Sequence, residues 1–571
     1  MKEKILNLLK SKVFLALVLN IFILIFCIFI SSFSYDNSED FYNSLSICQF
    51  HYYYSNSINY ILATLIGSAQ FALTGFNCFV LAQILLSCLA FTSLTYVITD
   101  KFGKVPGVVI SLIVNILFAL NHYADIQSSK TAAILFAAGF LLVLNAIRNK
   151  RYNAPCWIGI IEILFGSFLK YEYFFITLAF AVVFFFAEMI AKRKYKIKFR
   201  KFFWFFRPYV LLFVFITALV IGGNQYSYSV NHATEEASNY YTYAQLTDSI
   251  NEFTFPNYKE HEEEFNAINI NENDYEMLTS GYYDEDNSLN LSALSLVSEI
   301  QQQENTKTVQ SEIYEAGSEF GSHFMVFDNL ALISILIFLT FGLYVFLHKK
   351  RYAFFPIFYL LTAIVSSVYV QFIFTSESFI TYGIWLIACF FIIFSFNPEQ
   401  FKPKVAEKIK LMNKLPILAS VIFIALLFLS ECAIYQSHLP NISFNDKPSN
   451  LYAEIDRHPE RYYVLDPSTA FDYLKFTDNY THPLWGFRSS YLDNIDGFGY
   501  FHQQNEMLGH YLPTNIYEAV LTNKQIYVID NYITFKKEKY IKEHYAVNDS
   551  SVTYQQVDEI NGFKIYDIQT N

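Results

Sequence analysis

Residues 13–32 read VFLALVLNIFILIFCIFISS, and from Ser31 the chain continues as SSFSYDNSEDFYNS to Ser44. About twenty apolar residues, wound as a helix, match the roughly 30 Å hydrocarbon core of a bilayer. Lys2 and Lys4 precede the run, as in a secretory signal. The apolar stretch is longer than the roughly 7–15 residues of a signal core, however, and no A-x-A cleavage site follows. The run therefore reads as a retained first membrane span. Immediately after it stand Asp36, Glu39 and Asp40. At spacings i, i+3 and i+4 these acids share one face of any helix that forms there, so they are able to address one target.

Similar runs recur. Of 571 residues 54% are hydrophobic and only 16% are charged, with 60 Phe and 44 Tyr. Apolar stretches lie near 13–32, 77–98, 106–121, 130–147, 155–169, 174–191, 203–222, 329–347, 353–374, 380–397 and 416–435. Repeated runs of span length in so apolar a chain mean a polytopic membrane protein. Basic clusters fall between alternate runs: Lys2 to Lys12, Lys101/Lys104, Arg148 to Arg151, Lys192 to Lys201, Lys349 to Arg351 and Lys402 to Lys414. They hold 24 of the 40 lysines and arginines, and under the positive-inside rule they mark the cytoplasmic loops. All six agree with one threading of eleven spans, amino terminus inside. The expected fold is a polytopic α-helical membrane domain over 1–435 with about 11 transmembrane helices, followed by a C-terminal extracytoplasmic α/β domain over 436–571.

Three substantial segments then lie outside. Residues 33–76 carry the opening acids and INYILATLIGSAQFALTG, too interrupted for a span and read as helices along the membrane surface. Residues 223–328 hold 20 acids against Lys259 and Lys307, with helical periodicity in NLSALSLVSEI; they read as a solvated acidic helical cap. In 436–571, RYYVLD and KQIYVIDN read as buried strands and FKKEKYIKEHY as a helix. SVTYQQVDEINGFKIYDI reads as a hairpin turning at Asn561-Gly562. The aromatic, Gly-rich HPLWGFRSSYLDNIDGFGYFHQ reads as loop packing, with sugar stacking as its functional alternative. The seven cysteines form no framework and no His/Cys metal spacing is present; a Cys48–Cys78 disulfide is the pairing the topology allows.

Ionisable residues in or beside spans are costly and so are functional candidates. NHYADIQSSKTAA, between the third and fourth spans, supplies His122, Asp125 and Lys130. GSFLKYEYFF, between the fifth and sixth, supplies Lys170 and Glu172. Lys130 and Lys170 run against the positive-inside trend. Snorkelling, or pairing with Asp125 or Glu172, is one explanation; a lipid-linked phosphate at the outer leaflet is the other. Glu188 is four residues from Lys192 and suits an i, i+4 pair, while Glu162, deeper in its span, suits an interhelical hydrogen bond or a role in transport.

An acidic first outer loop, outward lysines, surface helices and a terminal outer domain together resemble the GT-C class of membrane glycosyltransferases, such as protein O-mannosyltransferases and lipid A aminoarabinose transferases. In that class the first outer loop carries an acidic motif followed by aromatics. SEDFYNS resembles it, with Glu39-Asp40 in the acidic places and Phe41-Tyr42 behind. The order is Glu-Asp rather than Asp-Glu, so the catalytic acid is one of Asp36, Glu39 and Asp40, with Asp40 or Asp36 as the implied base. The resemblance covers roughly residues 1–435. It implies an inverting transfer from a polyprenyl-phosphate sugar to a cell-envelope polymer, lipid or protein at the outer face of the plasma membrane. A carboxylate takes the acceptor's proton, and Lys130 or Lys170 meets the departing phosphate, with His122, Asp125 and Glu172 beside them. Closely spaced acids are also ligands for Mg²⁺ or Mn²⁺, with Asp36 and Asp40 as the pair.

Two other classes compete. A transporter or flippase for envelope glycolipids calls for inverted repeats and broken helices near the midplane; the sequence has no internal repeat, and its polar residues gather at the outer rim. A scaffold presenting the outer domain would leave the first-loop acids dispensable. Nucleic acid is not an expected partner, because topology accounts for the basic residues and the outer segments are acidic.

Overall fold

The first apolar run forms a 19-residue helix, α1 (Lys12–Ile30). The computed structural model describes residues 11–30, 34–35, 38–49, 51–55, 57–191, 199–251, 254–304, 337–341, 354–373, 378–395, 455, 457–469, 484, 495–498, 515–533, 535–546, 551–560 and 562–570. After α1 come β1 (Ser34–Tyr35), α2 (Ser38–Ser44), a π-helical turn (Leu45–Gln49) and α3 (Tyr60–Ala72). The helical core continues with α4 (Cys78–Phe102), α5 (Lys104–Ala124), β2 (Asp125–Ile126), α6 (Ser128–Asn149), α7 (Ala154–Leu169), α8 (Glu172–Ala191) and α9 (Phe199–Asn231). The acidic segment folds as α10 (Glu235–Asn251), α11 (Glu262–Ala267), α12 (Glu272–Thr279) and α13 (Leu291–Glu304). Two further apolar helices are α14 (Phe354–Ile373) and α15 (Ser378–Ser395). The C-terminal part is β3 (Tyr462–Leu465), β4 (Ile495–Gly497), α16 (Ile516–Thr522), β5 (Ile526–Ile529), α17 (Phe535–Tyr545), β6 (Val552–Ile560) and β7 (Phe563–Thr570).

Among the described residues four helices are long and apolar enough to cross a membrane: Cys78–Phe102, Ser128–Asn149, Glu172–Met189 and Arg207–Asn231. Shorter apolar helices cover Lys12–Ile28, Lys104–Ile116, Ala154–Leu169, Phe355–Val370 and Tyr382–Ser395. Helices thus occur at nine of the expected span positions. The run at 416–435 lies outside the described residues, as does 329–347 apart from a helical stretch at 337–341.

Within the bundle α6 is the central helix, buried along its apolar length. Small residues let α7 close on it. A Cβ on Gly139 would stand 2.5 Å from the Gly159 carbonyl, and one on Gly159 would stand 2.7 Å from that of Gly139. Neither position tolerates a side chain, the small-residue packing typical of closely spaced membrane helices. Polar side chains fasten the rest. Asn20 of α1 donates to Thr95 of α4 at 2.9 Å, and Asn115 of α5 donates to Asn20 at 2.8 Å. Glu162 of α7 is fully buried and accepts the Ser93 hydroxyl of α4 at 2.5 Å, the interhelical bond expected for it. Glu188 pairs with Arg148 of α6 at 3.5 Å; its expected partner Lys192 lies outside the described residues.

The C-terminal strands make one mixed sheet in the order β4-β3-β5-β7-β6. β3 runs parallel to both β4 and β5, whereas β7 is antiparallel to β5 and to β6. The hairpin turns where expected, with Gly562 at φ +87°, a conformation that favours glycine. Strand alternation divides the sheet's side chains between two cores. Val464, Ile526, Val528 and Ile568 pack with Tyr243, Phe265, Leu278, Tyr283 and Val297 of the acidic segment. Tyr463, Leu465, Ile529 and Ile565 face the other way, into a cluster continuous with the bundle core. The acidic segment is therefore more than a solvated cap: its apolar face and the sheet share one core, although 160 or more residues separate them in sequence.

Candidate functional site

The loops at one end of the bundle are stitched together by the segment that follows α1. β1 pairs in parallel with β2, so Ser34 stands opposite Asp125 and Tyr35 opposite Ile126. This two-residue ladder joins the opening stretch to the turn between α5 and α6. Asn59 continues the stitching: its amide donates to the Phe168 carbonyl at 2.9 Å, and its side chain caps α3 through Ile61 at 3.0 Å. Asn231 of α9 donates to the Ser55 carbonyl at 2.9 Å.

Glu39 and Asp40 sit in the first turn of α2. Adjacent residues on a helix diverge by about 100°, and these two part accordingly. Asp40 points inward and is 1% exposed. Its Oδ2 accepts the Ser128 amide at 2.7 Å, and its Oδ1 accepts the Ser128 hydroxyl. Ser128 opens α6, and Gln127 before it supplies no side-chain cap. Asp40 therefore caps α6 from another helix, meeting donors that would otherwise be orphaned and the positive end of the helix dipole. Burial, reinforced by the charge of Glu39, nevertheless pushes the Asp40 carboxyl up to about 7 against the pull of the Ser128 hydrogen bonds.

Glu39 points the other way. Its side chain is 40% exposed, and Lys170 Nζ lies 3.1 Å from Oε1. Lys170 ends α7, and Glu172 opens α8 beyond it, an acid in the first turn where the helix dipole favours one. Lys130, two residues beyond Ser128, is buried, 3.8 Å from Asp125 and 5.8 Å from the centre of the Tyr382 ring. Both lysines thus stand beside carboxylates: Lys130 beside Asp125, as one explanation has it, and Lys170 beside Glu39 rather than Glu172. His122 is buried, with Nε2 3.2 Å from the Lys130 carbonyl and Nδ1 3.0 Å from the Tyr382 hydroxyl. It ties α5 to the start of α6 and to α15.

Glu39, Asp40, Asp125, Lys130, Lys170 and Glu172 accordingly gather at one end of the bundle. Asp36 lies outside the described residues. Ser128 and Tyr382 were missed. A serine just ahead of an apolar run is a recognisable helix-start signal, whereas nothing local marks Tyr382. Ser128 engages both oxygens of the Asp40 carboxylate, and Asp36, its expected partner as a ligand for Mg²⁺ or Mn²⁺, lies outside the described residues. Cys48 and Cys78 are free buried thiols, and burial pushes Cys48 up to about 12, so it carries no thiolate at neutral pH. Most of HPLWGFRSSYLDNIDGFGYFHQ lies outside the described residues; within it, the Leu484 carbonyl accepts the Asn77 amide at 3.0 Å, beside the start of α4.

The opposite end of the bundle has its own ionic contacts. Lys12 meets Asp100 at 2.6 Å, and Asn145 and Asn149 also donate to Asp100.

No protein-family model, no curated protein and no solved structure matches this chain.

Proposed function

We propose that this protein is a GT-C-like membrane glycosyltransferase. It transfers a sugar from a polyprenyl-phosphate donor to a cell-envelope acceptor (polymer, lipid or protein) at the outer face of the plasma membrane. In this reading eleven spans cross the bilayer with the amino terminus cytoplasmic. The end of the bundle bearing Glu39 and the C-terminal sheet are extracytoplasmic. The observation that carries the proposal is the meeting of Glu39 with Lys170, 131 residues away, beside the Asp40–Ser128 anchor. A partly exposed carboxylate and an ammonium at one end of a helix bundle are the two charges such a transfer requires.

The chemistry divides between them. As the acceptor hydroxyl oxygen bonds to the anomeric carbon, its proton passes to the carboxylate of Glu39. The bond from the anomeric carbon to the phosphate oxygen breaks on the opposite face, and the configuration inverts. The electron pair leaves with the polyprenyl phosphate, whose growing charge meets Lys170. Donor phosphate competes with Glu39 for that ammonium, so donor binding releases the base from its ion pair. Asp40 is too enclosed to meet an acceptor and acts as a positioning residue, holding α2 against α6.

Membrane-lipid and envelope-glycan profiles of a deletion strain test the proposal. The strain is complemented with wild type, Asp36→Asn, Glu39→Gln, Asp40→Asn or Lys170→Gln at equal expression. Glu39→Gln and Lys170→Gln fail to restore the profile that wild type restores. Full restoration by all three acid variants sinks the enzyme reading and leaves a scaffold.

A further inference from the structure

Away from the bundle, the acidic segment meets α17 through a set of side chains with metal-ligand chemistry. Asp274 of α12 is fully buried, and its Oδ1 lies 2.9 Å from His544 Nε2. Glu543 lies beside them, and one donor atom from each of the three falls within 4.8 Å of the others. We propose that Asp274, Glu543 and His544 form a Zn²⁺-type divalent-metal site that clamps α12 of the acidic segment to α17 of the C-terminal part.

The ligand types argue for this class of ion. One imidazole with two carboxylates suits a borderline ion such as Zn²⁺, whereas Ca²⁺ and Mg²⁺ take shells of oxygen. Three protein ligands also leave a fourth position for water. The trio is held in place without help from an ion. Asp274 is fixed in the capping box of α12, its Oδ2 accepting the Asn271 amide at 3.2 Å. Asn271 Nδ2 donates to Glu543 Oε2 at 3.3 Å, and the His544 ring lies 4.5 Å from that of Tyr540. Asn273 donates to the Lys536 carbonyl at 3.1 Å, and Glu276 meets Lys536 at 2.8 Å, fixing α12 against α17. Supporting contacts of this kind orient the ligands of metal sites. On binding, the ion takes the place of the proton on Nε2 and bridges residues 270 positions apart in sequence. It therefore stabilises the folded state over the unfolded chain.

The proposal is independent of the glycosyltransferase reading. Full-length protein in detergent, stripped with chelator, is titrated with Zn²⁺ and separately with Co²⁺. Wild type takes up a single Zn²⁺ per chain, melts at higher temperature when loaded, and gives visible Co²⁺ bands. His544→Gln loses the bands and binds Zn²⁺ at least about tenfold more weakly, the low end of what even a supporting residue contributes at a metal site. Glu543→Gln, altered at a partly exposed position, behaves the same way without risk to the core. Lys536→Gln breaks the neighbouring ion pair and retains the metal. Absence of saturable uptake by wild type, or uptake unchanged in both ligand variants, overturns the site and leaves a plain His–Asp contact.

Discussion

Two charge clusters in this protein use similar residues in opposite ways. In the C-terminal sheet, Lys537 stands between Asp466 and Asp530 at 2.6 and 2.7 Å, and all three side chains are at most 6% exposed. Asp466 and Asp530 directly follow the parallel strands β3 and β5, where such strands present side chains at one edge. Yet this edge is sealed. The Tyr282 hydroxyl and the Thr469 amide and hydroxyl satisfy Asp466, and the Tyr532 amide satisfies Asp530. At the bundle's end, Glu39 and Lys170 make one ion pair with 40% and 16% of their side chains exposed. A sealed network holds segments together, whereas a partly exposed pair is able to exchange one partner for a substrate. Charge alone does not separate these roles; enclosure does.

The sealed network should be the more costly to break. Lys537→Met removes the cation and leaves two buried carboxylates facing each other, a loss of about 3–5 kcal/mol. The expected outcome is a large drop in melting temperature and in yield of folded protein in detergent. The acidic segment should become protease-sensitive at the same time, because Tyr282 belongs to this network. A variant as stable as wild type would show that the enclosed network holds no more of the fold than the exposed pair does.

At the exposed pair the loss should appear in rate. On the proposed glycosyltransferase reading, Glu39→Gln should slow sugar transfer by about 10²-fold or more, the usual range for a general base. Assay is by transfer in membranes or by glycan profile. Asp40→Asn, which keeps an acceptor oxygen for Ser128, should retain most activity. If Asp40→Asn is inactive while folded, and the wild-type rate climbs with pH through about 7, the base is Asp40 instead. Either outcome assigns the two adjacent acids.

Asp40 also gives a smaller, structural effect. Asp40→Ala uncaps α6 and should cost about 0.5–2 kcal/mol. The pH dependence has a definite sign. An unfolded aspartate releases its proton near 4, while folded Asp40 holds it to about 7. Between those values the folded state binds more protons, so this group's contribution to stability falls as pH rises. Asp40→Asn removes that loss, and its melting temperature should match or exceed that of wild type on the alkaline side of 7. Melts of the two proteins across this range decide the point.

What was legible beforehand follows the distance over which each signal acts. Apolar runs, strand alternation and the Asn561-Gly562 turn are local, and α17 occupies the eleven residues FKKEKYIKEHY expected of it. The charges around Lys130 and Lys170 stood out because they oppose the basic-loop pattern. Pairing across long separations was not legible. Nothing near Asp40 announces that it caps a helix 88 residues away. Likewise, no spacing rule links Asp274 to His544, or Tyr282 to Asp466. Charge and the periodicity of NLSALSLVSEI make the acidic segment a solvated helical cap in the sequence, whereas its buried Phe265, Leu278 and Val297 determine where it packs.

The smallest expected effect is the stability change from removing the exposed ion pair. Glu39→Gln and Lys170→Gln should each alter stability by no more than about 1 kcal/mol, because partly solvated pairs contribute little and salt screens them. Their melting temperatures should lie close to that of wild type and converge with it as ionic strength rises. This near-neutrality makes the activity test informative, since a variant that melts like wild type and transfers no sugar has lost chemistry and not structure. Should Lys170→Gln instead melt far below wild type, the pair belongs with the sealed Lys537 network, and its exposure would no longer mark a substrate-binding role.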